Sequence, residues 1–60
     1  MNQNVINEFY LLAVLDLENG IPIEDLKRAL KMYEQQEDYL ACAGILKAIK
    51  EYEYFNNRQD

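Results

Sequence analysis

The chain has 60 residues, half of them hydrophobic and 28% charged, with two glycines, one proline and a net charge of −5. So short a chain forms one small domain that buries only about 60% of the surface its unfolded form exposes, and the mixture is globular and mainly helical rather than disordered. Eleven acids against six bases weigh against direct nucleic-acid binding, while one cysteine and no histidine exclude an internal disulfide and leave no zinc-ligand spacing.

The N-terminus, MNQNVINEF, has no basic residue ahead of its apolar run, and that run, Phe9 to Leu15, is too short to span a bilayer. The expectation is a cytoplasmic protein with no membrane segment. Val5, Ile6, Phe9, Tyr10, Leu12, Ala13 and Leu17 recur at helical spacing and predict a first helix over 4–18, with Asn2 or Asn4 as its cap. Leu11, Val14 and Leu15 widen its apolar surface almost all round, so it needs cover on more than one side. Asp16 and Glu18 oppose the dipole at its end.

NGIP at 19–22 is the only strong punctuation: Gly20 suits the left-handed position that ends a helix and Pro22 the first turn of the next. Ile23, Leu26, Ala29, Leu30 and Tyr33 then make one face of a second helix over 22–36, with Glu24 and Asp25 favourably placed in its first turn. After the polar EQQED, a stripe of Tyr39, Cys42, Ala43, Leu46, Ile49 and Lys50 predicts a third helix over 39–55, capped by Asp38. No glycine or proline interrupts 23–43, so one long bent helix is a second arrangement compatible with the pattern. The fold class is all-α, a small three-helix bundle formed by an N-terminal helix and a hairpin. The expected hairpin core is Leu26, Leu30, Tyr33, Tyr39, Cys42, Leu46 and Ile49, with Tyr33 and Tyr39 closing it.

The basic residues Lys27, Arg28, Lys31, Lys47 and Lys50 read as solvated helix surface. Glu24 can pair with Arg28, Lys47 with Glu51 and Lys31 with Glu34 along the helices.

Residues 26–53, LKRALKMYEQQEDYLACAGILKAIKEYE, resemble the UVR motif, a short helical hairpin of bacterial excision-repair proteins and of some adaptors of protein-degradation machines. Leu26 and Leu30 fall on its apolar first-helix positions and Asp38 and Tyr39 on its acidic and aromatic pair at the bend. Cys42 and Ala43 fall on its small pair, Ile45 and Ile49 on its apolar positions, and Lys50 and Glu51 on its charged exit. The resemblance implies a true bend near 38 and a hairpin that pairs with a second hairpin of its kind. Gly44 and Leu46 stand where the family has arginines, and Lys47 where it has an acid, so its polar contacts do not carry over. Gly44 also costs about 1 kcal/mol of helix propensity relative to alanine, which implies that another backbone or side chain approaches closely there.

No candidate chemistry emerges. A reactive thiol needs a base or a helix N-terminus to depress its pKa, and Cys42, on an apolar stripe, reads as a small core residue. Glu34, Glu37 and Asp38 read as a solvated bend. No phosphate loop, nucleophile elbow or metal signature is present, and no cofactor is expected. The five tyrosines remain, because tyrosine is enriched at interfaces. Tyr52, Tyr54 and Phe55 span more than one helical face, and with Tyr10 and Val14 they are the expected partner-binding residues.

The functional expectation is a non-catalytic protein–protein interaction module that forms a homodimer and binds a protein target through helix faces, as a small adaptor or modulator of a larger machine. A second class is an acidic inhibitor, such as an accessory protein of a phage or mobile element that blocks a basic nucleic-acid site on a host protein.

Overall fold

The computed structural model describes residues 2–57, which form three α-helices: α1 (Gln3–Glu18), α2 (Ile23–Gln35) and α3 (Tyr39–Asn57). The predicted boundaries hold to within two residues, and the chain breaks before residue 39 instead of running on as one helix. Among the described residues there is no strand, and no helix is long and apolar enough to cross a membrane.

Local chemistry sets each end. The Val5 amide donates to the Asn2 side chain at 3.2 Å, capping α1. At the other end the Gly20 amide donates to the Leu17 carbonyl at 3.1 Å and the Ile21 amide to the Asp16 carbonyl at 3.0 Å, with Gly20 at φ 89°. This is the paired closure that a left-handed residue after the helix permits. Pro22 is the cap residue of α2, one position earlier than expected, with extended backbone and no side-chain cap bond.

α2 closes in the same way. The Glu37 amide donates to the Glu34 carbonyl at 3.0 Å and the Asp38 amide to the Tyr33 carbonyl at 2.9 Å. Here the left-handed residue is Glu37, at φ 59°. Asp38 then turns round and caps α3, accepting from the Ala41 amide at 3.3 Å. One residue thus ends α2 with its backbone and starts α3 with its side chain, so the bend needs no glycine.

The helices run up, down and up. α3 packs against both others, more extensively against α1 than against its hairpin partner α2. Small residues make this possible: Ala41, Gly44 and Ala48 alternate with Ile45 and Ile49 along the buried face of α3. A methyl group on Gly44 would lie 2.7 Å from Phe9 Cβ and 2.8 Å from the Tyr10 nitrogen, and closer still to the Ile6 carbonyl oxygen. The close approach expected at Gly44 is therefore present, and the neighbour is α1. Ala13, Leu26, Ile45, Ala48 and Ile49 form the buried cluster, with Leu30 and Tyr33 packed partly against it. Tyr33 meets the Phe9 ring edge-on, with centroids 5.5 Å apart, so it ties α2 to α1 as well.

Two expected hairpin-core residues lie outside the core. Tyr39 is 65% exposed and Leu46 39% exposed. At roughly 100° per helical residue, Leu46 and Tyr39 sit about 100–120° round the helix from Ile45, on its flank. The buried stripe is rotated toward the small residues because α1 claims the side of α3 that carries Gly44. Leu12, one of the residues that recur at helical spacing in α1, is 60% exposed, and Ile6 and Ala13 are the buried residues of that helix.

Candidate functional site

Because α1 and α3 are parallel, their C-terminal halves lie side by side, and a groove of about 330 Å³ opens between them. α1 contributes Tyr10, Val14, Leu17 and Glu18; α3 contributes Ala48, Glu51, Tyr52, Phe55 and Asn56. Sequence reasoning had nominated Tyr10, Val14, Tyr52 and Phe55, and the fold brings these together in one concavity. Tyr54 does not line it. Its ring stands edge-on against that of Phe55, with centroids 5.5 Å apart, and is 57% exposed.

The wall at Tyr10 is held by two contacts with α3. The Tyr10 hydroxyl donates to Glu51 Oε1 at 2.5 Å, and Lys47 Nζ stands 4.5 Å from the centre of the Tyr10 ring. The hydrogen bond to Glu51, followed by desolvation and the carboxylate's charge, raises the Tyr10 pKa above its usual value. Tyr10 is thus an oriented, neutral phenol, with an apolar ring toward the groove and its polar tip occupied.

The expected charge pairs are rearranged. Arg28 pairs with Asp25 rather than Glu24. Lys47 sits over the Tyr10 ring rather than beside Glu51. Lys27 crosses the hairpin to Glu53 at 2.8 Å, and that hydrogen bond and charge raise the Lys27 pKa. Charge spacing along one helix predicts the available partners on that helix, and here tertiary neighbours take precedence.

A second feature lies next to the groove. Leu11, Leu12 and Leu15 are 56%, 60% and 52% exposed on the outer side of α1, away from α3. These residues were not nominated as a site, although the apolar widening of α1 was the signal for them. Leu17, Glu18, Ala48 and Glu51 were also missed as groove residues; nothing in one-dimensional spacing pairs α1 with α3.

Cys42 is half-buried and its Sγ donates to the Leu30 carbonyl at 3.8 Å; burial first, then Glu34 and Asp38, push its pKa up, so it stays a protonated thiol at neutral pH. Among the described residues no group of three or more His, Cys, Asp or Glu side chains could hold a metal ion. Neither a protein-family profile, a curated protein nor a solved structure matches the chain.

Proposed function

We propose that the chain is a non-catalytic protein–protein interaction module that self-associates through the outer face of α1 and serves as a small adaptor or modulator of a larger machine. The observation that carries this reading is the exposure of Leu11, Leu12 and Leu15 on one continuous face of a helix whose other side is already packed. Leaving three leucines in water forgoes a large part of their burial free energy, about 1.5–3 kcal/mol for each side chain fully covered. A domain this small, with a single cysteine and no metal-binding cluster among the described residues, gains most from a second chain.

An isologous pair fits the face. With the two α1 helices crossing at this face, the leucines of one copy meet those of the other. The hairpin resemblance supports the same class of function, since it implies a unit that binds helices. The acidic-inhibitor reading gains less support, because Lys27 and Arg28 interleave with acids as ion pairs instead of leaving a row of negative charge.

Thermal unfolding at several protein concentrations tests the proposal. The midpoint should rise with concentration, and Leu11→Ser combined with Leu15→Ser should abolish that rise while leaving the helical signal in place. A midpoint independent of concentration in the unaltered chain would end the self-association reading.

A further inference from the structure

We propose that the groove between α1 and α3 receives a basic amphipathic helix of another protein, with two apolar side chains one turn apart entering the groove and a lysine or arginine pairing with Glu18. The inference deepens the interaction reading but does not depend on self-association.

The shape comes first. A volume of about 330 Å³ stands at the low end of ligand-sized cavities, roughly 300–1,000 Å³. It has room for a pair of side chains and not for a broad folded surface. Its length follows two parallel helices, and its walls are Val14, Leu17, Tyr52 and Phe55. An entering helix presents such a pair at i and i+3 or i+4.

Charge selects the partner. The charged residues lining the groove are Glu18 and Glu51, and Glu51 is engaged by the Tyr10 hydroxyl. Glu18 has no ion pair among the described residues. Every charged residue of α1 is acidic: Glu8, Asp16 and Glu18. The parallel arrangement points the C-terminal ends of α1 and α3 toward the same end of the molecule, and neither helix has a basic residue in its last turn. Two negative dipole ends therefore reinforce Glu18. A second copy docking through its α1 would bring only acids to that field.

The test uses the Leu11→Ser, Leu15→Ser chain, so that self-association plays no part, and fluorescently labelled alanine-based helices of about 18 residues, long enough to hold helicity in water. One probe carries leucines at i and i+4 flanked by lysines, a second the same leucines flanked by glutamates, and a third the lysines without the leucines. Anisotropy should show the first binding at least about tenfold more tightly than either of the others, a difference of about 1.4 kcal/mol. Glu18→Lys should reverse the preference between lysine and glutamate flanks. Phe55→Ser, at a residue 63% exposed and so dispensable for folding, should weaken the first probe while circular dichroism stays unchanged. Equal binding of the first and third probes, no reversal in Glu18→Lys, or no binding by the first probe would overturn the proposal. So would loss of self-association on Phe55→Ser in the otherwise unaltered chain, which would assign the groove to a second copy.

Discussion

Gly44 of α3 lies so close to the Ile6 carbonyl of α1 that the two helices touch backbone to backbone at that point. Alanine there would gain about 1 kcal/mol of helix propensity but must push α1 away. Forced overpacking costs about 1–3 kcal/mol, and the obstacle here is main chain, which cannot swing aside. Gly44→Ala should therefore lower the denaturant midpoint. A rise would mean that α1 does not seat on Gly44.

Glu37 occupies a left-handed backbone conformation at φ 59°, a region that disfavours side chains by roughly 1–2 kcal/mol. Its side chain is exposed. Glu37→Gly should raise stability by about 0.5–1 kcal/mol, somewhat less than that figure because glycine is freer in the unfolded chain. Denaturant titration of the two proteins compares them directly.

Most of the fold is legible in the sequence, since caps and breaks are local. Asn2, Gly20 and Asp38 act at the helix ends where their chemistry places them, and three helices follow. The rotation of α3 is not local. Hydrophobic spacing picks out large side chains and so selects Tyr39 and Leu46, whereas the tightest interface is built from Ala41, Gly44 and Ala48, which let backbones approach but carry little apolar weight. Gly44 was the one readable clue, as an expensive residue inside a helix. The groove was half legible: Tyr52 and Phe55 were marked by being more aromatic than a helix end requires, but their pairing with Leu17 and Glu18 depends on the direction in which α1 lies along α3.

The register of α3 can be checked by substitution. Ile49→Ala, at a residue only 3% exposed, should cost about 2–5 kcal/mol, enough to unfold much of so small a domain. Tyr39→Ser, on the exposed flank, should stay within about 0.5 kcal/mol of the unaltered chain. Comparable losses at both positions would place the stripe where spacing alone puts it.

Alkaline pH should loosen the α1–α3 contact. The Tyr10 pKa is raised in the folded chain, chiefly by its hydrogen bond to Glu51, so between the unfolded and folded values the folded state holds more protons. Stability from this bond is then complete below the ordinary tyrosine value of about 10 and is lost as pH rises through the folded value. Lys27, raised by its bond to Glu53, acts in the same direction. Tyr10→Phe should show a shallower decline in thermal midpoint above about pH 10 than the unaltered chain, and parallel declines would separate Tyr10 from the titration.

Self-association through Leu11, Leu12 and Leu15 is the central claim, and sedimentation equilibrium at micromolar concentration measures it most directly. The account predicts a mass twice that of the 7.1 kDa chain, falling to the single-chain value in Leu11→Ser, Leu15→Ser. A folded 7.1 kDa monomer across the whole concentration range, with the three leucines intact, would contradict it.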